Sequence, residues 1–458
     1  MMKKQVFNPY LPCYEYIPDG EPRVFGDRLY IFGSHDKFDG KTFCENDYVT
    51  WSAPIDDLSD WRFEGEIYRK DQDPRPGNLY APDVVQGPDG RYYLYYSKAE
   101  TSVISVAVCD TPAGKYEYLG DVSYPDGRVM GEAAEEYFHF DPSVLIDEGR
   151  VWLYSGSGQY GKQKRTRQKI VGCMVIELET DMITVKQAPK VLLPGAKGYG
   201  KKAFFEGASA RKIGDLYYLV FPTLDMTGLN YATSRYPDRD FTIRGSIHST
   251  SDIGIGKYSM SNPAYPLGNN HGGLVCIRDR WYIFDHRMTN RTMFSRQGVA
   301  EPVTIGPDGT IRQVESTSCG LNGGPLRGEG TYPAHIACNL LRGSILSGCP
   351  YLTQDKPDGD ITARQYVAGV QNGSRVGYKY FDFSTDTLEF TLQYRCSGKG
   401  TLEIMQSDGA LAVGSVFVSR TNQWREGSCT LYVAPGKSEL YLKYSGTGSL
   451  ELLEFTFG

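Results

Sequence analysis

DGRYYLYYS (89–97) is one of five segments in which a turn is followed by aromatic and aliphatic residues. The other four are GDRLYIFGS (26–34), EGRVWLYSG (148–156), GDLYYLVFP (214–222) and RDRWYIFDH (278–286). Alignment of the five segments places one aromatic residue of each in a single column: Tyr30, Tyr93, Trp152, Tyr218 and Tyr282. Tight-turn signals such as Asp89-Gly90 precede β-forming residues, so each segment is predicted to be a strand entered through a hairpin.

The column aromatics recur about every sixty residues. That length accommodates a four-stranded antiparallel sheet with long loops, and repetition of such sheets around an axis is typical of a propeller. The 34 tyrosines and 52 glycines also favour strands separated by turns. The sequence therefore predicts an all-β chain whose residues 1–318 form a five-bladed β-propeller.

The charge and cysteine patterns limit the possible partners and compartment. A formal net charge of −6 gives no basic surface for nucleic acid or an anionic membrane. No apolar run has the length of a membrane span or a signal peptide. The ten cysteines lie far apart without a C-x-x-C pair, which is typical of reduced thiols. We therefore expect a cytoplasmic protein, and no pattern indicates an oligomeric state.

A polar residue lies shortly before each column aromatic. These residues are Glu21, Asp83, Asp141, Glu206 and His271. Their distance from the aromatic equals one strand plus a hairpin, so all five are expected to converge at one end of the propeller axis. Carboxylates that converge cannot all ionise at their ordinary pKa, and one with a raised pKa can donate a proton while another accepts one. Glycoside hydrolysis needs this division of roles. The alternative is a turn-capping role, which we favour for Asp83.

Six motifs in order resemble glycoside hydrolase family 43 over about residues 7–317. They are NPYLP (8–12), YAPDV (80–84), FDPSV (140–144), FFEGA (204–208), NNHGG (269–273) and DHRMTNRTMFSRQ (285–297). The family consists of five-bladed propeller enzymes that act on arabinose- and xylose-containing glycans. The resemblance implies that Glu21 is the general base, that Asp141 modulates a pKa, and that Glu206 is the general acid.

The predicted base departs from the family pattern. The family usually has Asp-Pro where this chain has Glu21-Pro22, and the longer side chain displaces a carboxylate whose position matters for an inverting mechanism. Asp19 is an alternative base two residues earlier. We expect Glu21 to be the base, because Asp19 does not fit the register of the repeat.

Seven residues are expected to bind substrate: Asp36, Tyr80, Asp83, Phe140, His271, His286 and Arg296. The resemblance implies that Phe140 forms a wall of the sugar pocket and that Arg296 reaches into it. It also matches His271 to a histidine near the channel that contacts a water or a calcium ion in relatives. Bond cleavage is expected to need no cofactor, and a structural calcium held by His271 through water is the one metal that the resemblance suggests.

The remaining chain is predicted to be a second domain. CGLNGGPLRGEGTYP (319–333) is rich in glycine and proline, so residues 319–330 are predicted to be a linker. Short alternating strands over 331–458 predict a C-terminal β-sandwich. NGSRVGYKYFDF (372–383) resembles carbohydrate-binding module family 6, in which Tyr378 and Trp424 would contact sugar. A sandwich that only braces the propeller is the alternative.

These observations together predict an inverting, exo-acting glycoside hydrolase that removes terminal pentose, best matched to α-L-arabinofuranosyl residues, from plant-type oligosaccharides. The alternatives are a β-xylosidase or β-galactofuranosidase, and a non-catalytic sugar-binding propeller without a working base. A propeller enzyme that transfers the glycosyl unit to phosphate is a further alternative, for which only Arg296 offers a basic group.

Overall fold

The computed structural model describes residues 4–158, 167–195, 200–342 and 348–458. These residues form 31 strands and four short 3-10 turns, and none of them lies in an α-helix. The prediction of an all-β chain is therefore confirmed. In the described ranges, no helix has the length and apolar character needed to cross a membrane.

The first two-thirds of the chain forms five consecutive antiparallel sheets, called here the five-sheet ring. The first sheet contains β1 (Glu21–Phe25), β2 (Arg28–Phe32), β3 (Tyr48–Pro54) and β4 (Arg62–Tyr68). The second contains β5 (Asp83–Gln86), β6 (Tyr92–Ser97), β7 (Ile104–Cys109) and β8 (Glu117–Asp121). The third contains β9 (Ser143–Asp147), β10 (Arg150–Ser157), β11 (Gly172–Leu178) and β12 (Val185–Pro194). The fourth contains β13 (Ser209–Ile213), β14 (Leu216–Pro222), β15 (Leu229–Ser234) and β16 (Thr242–His248). The fifth contains β17 (Leu274–Ile277), β18 (Arg280–Thr289) and β19 (Thr292–Val303).

The column aromatics are buried between neighbouring sheets. All five lie on the second strand of their sheet and are at most 8% exposed. Five separate apolar cores each join two neighbouring sheets, and one of them joins the fifth sheet back to the first. Burial of this apolar surface is the main force that holds successive sheets together.

The ring is closed at the N-terminal end of the chain. The Asn8 side chain donates to the Ala300 carbonyl at 3.0 Å and accepts from the Ala300 amide at 3.0 Å, which fixes the N-terminal segment on strand β19. Tyr10 packs its ring against Phe284 of β18 at 5.1 Å. The first strands of neighbouring sheets lie side by side, since β1 contacts both β5 and β17 and β9 contacts both β5 and β13.

The C-terminal third forms two six-stranded sheets around one apolar core. One sheet contains β20 (Leu326–Arg327), β22 (Asn339–Leu341), β25 (Arg375–Phe383), β27 (Gly400–Met405), β28 (Ala412–Val418) and β30 (Gly436–Gly446). The other contains β21 (Gly330–Pro333), β23 (Tyr351–Gln354), β24 (Gln365–Val370), β26 (Thr387–Cys396), β29 (Thr421–Tyr432) and β31 (Leu450–Phe457). We call them the C-terminal sheets.

The segment predicted to be a linker is built into the C-terminal sheets. Leu326 and Arg327 form a parallel ladder with β25, and Leu326 is fully buried. Cys319 and Leu321 are also buried. The glycine and proline residues of 319–330 therefore form turns between hydrogen-bonded segments, and not a flexible linker.

Buried polar contacts join the C-terminal sheets to the five-sheet ring. Lys379 on β25 is 3% exposed and places its Nζ 3.0 Å from Asp252 Oδ2 and 3.1 Å from Glu315 Oε2. Arg287 on β18 donates to the carbonyls of Ala337 and His335, both at 2.7 Å. These contacts hold the two parts as one packed body.

Candidate active site

The pairing of each first strand with its second strand aligns the five sheets residue by residue. In the first four sheets, these ladders begin at the pairs Glu21–Phe32, Asp83–Tyr95, Ser143–Tyr154 and Ser209–Val220. In the fifth sheet, the carbonyl of Gly273 accepts a hydrogen bond from the amide of Phe284. These five residues form the channel row: Glu21, Asp83, Ser143, Ser209 and Gly273. The residues two positions earlier form the rim row: Asp19, Ala81, Asp141, Gly207 and His271.

The backbone of the rim row is unusual at three of its five positions. Asp19, Asp141 and Gly207 have φ values of 57°, 45° and 60°, which lie in the left-handed region. This conformation is costly for residues with a Cβ and persists where surrounding structure imposes it, often at functional sites. The turn before each of these first strands therefore determines the direction of the rim side chains.

Asp19 is surrounded by basic groups. Its Oδ1 lies 3.0 Å from Arg296 Nη1 and 3.2 Å from His286 Nδ1. Burial opposes ionisation of this carboxyl, but Arg296, His286 and His271 outweigh burial and lower the pKa of Asp19 to about 2. His286 Nδ1 also accepts a hydrogen bond from the Asp19 amide at 3.1 Å. Burial lowers the pKa of His286 to about 4, so this ring is neutral near pH 7.

Glu206 directly precedes Gly207 of the rim row, and we call Asp19, Asp141 and Glu206 the rim carboxyls. Glu206 and Asp141 have an electrostatic environment opposite to that of Asp19. Burial and the negative charge of Asp19 raise the pKa of Glu206 to about 8, although Arg296 counteracts them. Burial, Glu206 and Asp19 likewise raise the pKa of Asp141 well above its ordinary value. Within the described residues, no hydrogen bond engages the Glu206 carboxyl. The rim therefore combines an ionised carboxylate with a partly exposed carboxylic acid that keeps its proton at neutral pH.

His271 lies between the two aspartates of the rim. Its Nδ1 is 3.9 Å from Asp19 Oδ1 and 3.9 Å from Asp141 Oδ2, and its ring covers Gly207. A Cβ on Gly207 would lie 3.0 Å from that ring. The glycine therefore allows the imidazole to approach the backbone directly beside Glu206.

Among the described residues, His271 does not belong to a direct ligand set for the calcium ion that the family resemblance suggests, and a calcium ion held through water stays a prediction. Calcium takes six to eight oxygen ligands. In the described part of the chain, no group of three or more His, Cys, Asp or Glu side chains is placed to hold a metal ion. One step deeper, the channel contains the guanidinium groups of Arg23 and Arg211, which already neutralise the nearby carboxylates.

Arg296 connects Asp19 to a second buried carboxylate. Its Nε lies 2.7 Å from Asp36 Oδ2 and its Nη2 lies 2.9 Å from Asp36 Oδ1, a bidentate pair of the kind that fixes both geometry and charge. Asp36 is fully buried behind the arginine. The structure therefore places Asp36 and His286 behind Asp19 and Arg296, and not where they would contact substrate.

Partly exposed aromatic side chains flank the rim. The rings of Tyr80 and Phe140 lie 5.5 Å apart, and their contact with substrate stays a prediction. Burial and nearby charges, including those of Asp141 and Glu206, raise the pKa of Tyr80 to about 12. Phe43 packs against Arg296, with its ring centroid 4.9 Å from the guanidinium carbon.

Glu21 does not join the rim carboxylates, which corrects the expectation for this residue. Its Oε2 lies 2.6 Å from Arg211 Nη2 in the channel row, and the carboxylate is 1% exposed. A Cβ on Gly273 would lie 2.9 Å from Glu21 Oε2 and 2.3 Å from Ser209 Oγ. Glu21 therefore reaches from the first sheet to the fourth through the space left by a glycine in the fifth.

Asp83 is also in the interior of the ring, not in the sugar pocket. Its carboxylate forms a bidentate pair with Arg23, with the shortest N···O distance 2.5 Å, and accepts from the Val144 amide at 2.8 Å. It thus joins the first, second and third sheets. This placement contradicts a substrate contact, because Asp83 instead holds three neighbouring sheets together.

The chain matches the family model for "Glycosyl hydrolases family 43" over residues 18–311. The chain belongs to this family. That range contains all five sheets of the ring and the whole rim row. As a family 43 member the chain is a glycoside hydrolase, which confirms the predicted family and enzyme class.

A family 43 relative from Thermoclostridium stercorarium, named xylosidase/arabinosidase, is 46% identical over 99% of both chains. An arabinoxylan arabinofuranohydrolase from Paenibacillus polymyxa is 24% identical over 94% of this chain and 70% of its own length. Among solved structures, a family 43 arabinoxylan arabinofuranohydrolase from Bacillus subtilis in complex with cellotetraose has a TM-score of 0.55 at 20% identity, and covers 98% of this chain and 97% of its own. These matches span both the ring and the C-terminal sheets of this family 43 chain.

The family 43 site contains residues that the sequence motifs did not reveal. Phe43 lies in a loop outside the repeat and has no counterpart in the other sheets, so the aligned segments contain no signal for it.

Tyr378 is fully buried and donates to the Ala334 carbonyl at 3.1 Å, which contradicts its predicted contact with sugar. Trp424 is partly exposed and packs with Arg395 and Tyr366, and its role in sugar binding stays a prediction.

Proposed function

We propose that this family 43 enzyme is an inverting, exo-acting glycoside hydrolase that removes terminal α-L-arabinofuranosyl residues from plant-type oligosaccharides. The observation that carries the proposal is the opposed charge state of two rim carboxyls, ionised Asp19 and protonated Glu206. Inversion needs one carboxylate that activates water and one carboxylic acid that protonates the leaving group. The name of the 46% identical relative supports a substrate that contains arabinose or xylose.

In the proposed reaction Asp19 removes a proton from a water molecule as the water oxygen attacks the anomeric carbon. Glu206 gives its proton to the glycosidic oxygen while the bond from that oxygen to the anomeric carbon breaks. The products are the free sugar of inverted configuration and the shortened glycan, with the proton now on Asp19 and the charge on Glu206. Release of the proton to solvent and its return to Glu206 complete the cycle.

The other rim groups are proposed to maintain this division of charge. Arg296 stabilises the ionised form of Asp19, with its Nη1 3.0 Å from Asp19 Oδ1. Asp141 is proposed to take the modulating role beside Glu206, since the charge of Glu206 raises the pKa of Asp141 and two carboxyls in one buried site do not ionise independently. Tyr80 and Phe140 are proposed to hold one terminal sugar ring between them and the rim, which favours exo action.

The same proposal covers the architecture. The five-sheet ring is proposed to be a five-bladed β-propeller and the C-terminal sheets a β-sandwich that follows it. The proposed domains are residues 1–318 and 319–458, since β20 and β21 already belong to the C-terminal sheets. Five apolar cores that each join neighbouring sheets, and one core shared by the two C-terminal sheets, support this division.

Action on terminal β-D-xylosyl residues is the second candidate. The relative from Thermoclostridium stercorarium is named for both xylosidase and arabinosidase, and it spans the whole chain. Both sugars are pentoses, so the same acid and base can serve either one in a pocket of similar volume.

The test is hydrolysis of nitrophenyl α-L-arabinofuranoside, β-D-xylopyranoside and β-D-galactofuranoside, with Glu206→Gln as the control for contaminating activity. We expect cleavage of the arabinofuranoside, with β-L-arabinofuranose as the first anomer seen by NMR. Absence of cleavage on all three substrates would favour a non-catalytic sugar-binding protein. Formation of a sugar phosphate in phosphate buffer would favour glycosyl transfer to phosphate.

A further inference from the structure

One carboxylate of the C-terminal sheets holds both ends of a loop in the five-sheet ring. Asp358 follows strand β23, and its Oδ1 accepts from the Phe38 amide at 2.7 Å. Its Oδ2 accepts from Asn46 Nδ2 at 3.2 Å. Phe38 and Asn46 lie near the start and the end of the loop 37–46. Asp358 therefore closes this loop from outside the ring.

The closed loop contacts the residues that support Asp19. Asn46 Nδ2 also donates to the Asp36 carbonyl at 3.1 Å, and the Cys44 amide donates to Asp36 Oδ1 at 3.1 Å. These bonds fix Asp36 at both its backbone and its side chain. Asp36 in turn holds Arg296 by a bidentate pair, and Arg296 Nη1 lies 3.0 Å from Asp19 Oδ1.

The loop also covers one face of Arg296. Phe43 places its ring centroid 4.9 Å from the guanidinium carbon and meets Phe294 edge to face at 4.7 Å. A cation over an aromatic face is attracted to it, and this attraction strengthens where water is excluded. If the loop moved, Arg296 would lose this aromatic cover and the hydrogen bonds that fix Asp36.

We propose that Asp358 is a positioning residue for the hydrolytic site. Its carboxylate keeps the loop 37–46 closed, so that Asp36 and Phe43 hold Arg296 against Asp19. The inference rests on the proposed function and goes beyond it, because it makes the C-terminal sheets part of the catalytic apparatus without any contact between them and the sugar.

The test compares Asp358→Ala with a matched control from the same segment, Asp355→Ala. Among the described residues, the Asp355 carboxylate accepts hydrogen bonds only from Arg364, within the C-terminal sheets. We expect Asp358→Ala to lower kcat/KM by about 10-fold or more, since small displacements of catalytic groups are costly. Asp355→Ala is expected to retain the wild-type value. Asp358→Asn keeps one acceptor oxygen and should lie between the two.

Two readouts separate positioning from a general loss of structure. Looser contact between Arg296 and Asp19 should raise the pKa of the base, so the acidic limb of the kcat/KM profile should shift to higher pH in Asp358→Ala. Amide hydrogen exchange over residues 37–46 should accelerate in that variant, while exchange in strands β6 and β14 stays unchanged. Asn46→Ala combined with Asp358→Ala should cost less than the sum of the single effects.

The outcomes also separate this inference from the proposed function. A wild-type enzyme that cleaves pentosides, together with an unchanged kcat/KM and pH profile in Asp358→Ala, would overturn the inference and leave the function intact. A wild-type protein without hydrolytic activity would overturn the function. Faster exchange over 37–46 would then make Asp358 a structural contact only, which also overturns the positioning role.

Discussion

The three rim carboxyls differ in their neighbours more than in their chemistry. Asp19 has the buried guanidinium group of Arg296 at 3.0 Å, whereas burial and the charge of Asp19 raise the pKa values of both Asp141 and Glu206. A carboxylate beside cations stays ionised, and carboxyls that share a desolvated site retain protons. The proposed acid and base roles therefore follow from the placement of Arg296 beside Asp19.

Activity should fall on the alkaline side as Glu206 loses its proton. The reaction requires ionised Asp19, with a pKa of about 2, and protonated Glu206, with a pKa of about 8. We expect kcat/KM to be level through neutral pH and to decline above about pH 8, as measured with a nitrophenyl substrate. Glu206→Gln should lower kcat by about 10²–10⁴-fold and remove the alkaline decline.

The same shift predicts a change in stability with pH. The folded protein holds the Glu206 proton more tightly than the unfolded chain does, so this residue makes the free energy of unfolding fall as pH rises from about 4.5 through about 8. Glu206→Gln lacks this proton and should be more stable than the wild type at pH 9, with the difference vanishing near pH 4. Equal pH dependence of unfolding in the two proteins would contradict the raised pKa.

The sequence contained the signal for Asp19, but we assigned the base to Glu21. Asp19, Asp141 and His271 each lie eleven residues before their column aromatic, whereas Glu21 lies nine before Tyr30. Side chains two apart on a strand share a face, so Glu21 points to the same axis one step deeper in the channel. The contacts of Arg296 with Asp19 and Asp36 involve residues far apart in the chain, and no local pattern shows them.

At the scale of strands and turns, the sequence predicts the position of a strand correctly where that strand belongs to the internal repeat. The five aligned segments gave the second strand of every sheet, because burial requires the same apolar pattern each time. The turn that precedes each first strand was not predicted, since its left-handed residues have different identities: Asp19, Asp141 and Gly207. The segment 319–330 was assigned to a linker because glycine and proline mark turns as well as free connections.

Gly207 offers a test of the turn beside Glu206. Gly207→Ala introduces a Cβ 3.0 Å from the His271 ring at φ 60°, whereas Gly214→Ala has nothing within 4 Å at φ 59°. Both should lose about 1–2 kcal/mol of stability from the left-handed backbone. Only Gly207→Ala should also lower kcat/KM, by about 10-fold or more, because it displaces Glu206 and His271.

The two variants thus separate backbone strain from damage to the site. Thermal unfolding gives the first quantity and kcat/KM on nitrophenyl arabinofuranoside gives the second. Equal kcat/KM in Gly207→Ala and Gly214→Ala would contradict the inference that the glycine is needed for the approach of His271 to Glu206.

At the scale of the whole molecule, the five-sheet ring and the C-terminal sheets should unfold together. Lys379 is 3% exposed between Asp252 and Glu315, so Lys379→Met leaves a buried carboxylate without its partner. Breaking a buried pair in this way typically costs about 3–5 kcal/mol. We expect one calorimetric transition in both proteins, at a lower temperature in the variant.

The control is the pair of Lys257 with Asp408, which also joins the two parts at 2.5 Å but has a lysine side chain that is 55% exposed. Lys257→Met should cost less than about 1 kcal/mol, as exposed pairs do. Two separate transitions, of which Lys379→Met shifts only one, would show that the parts are energetically independent.

The proposed mechanism requires that the ring brings Asp19, and not Glu21, close to Asp141 and Glu206. The most direct measurement is kcat for Asp19→Asn and Glu21→Gln, with thermal unfolding of both. Asp19→Asn should lose about 10²–10⁴-fold in kcat with its fold retained. Glu21→Gln should keep kcat within about 3-fold of the wild type, and should lose about 3–5 kcal/mol of stability because Arg211 stays buried without its carboxylate. A folded but inactive Glu21→Gln variant, together with an active Asp19→Asn variant, would show instead that Glu21 is the general base.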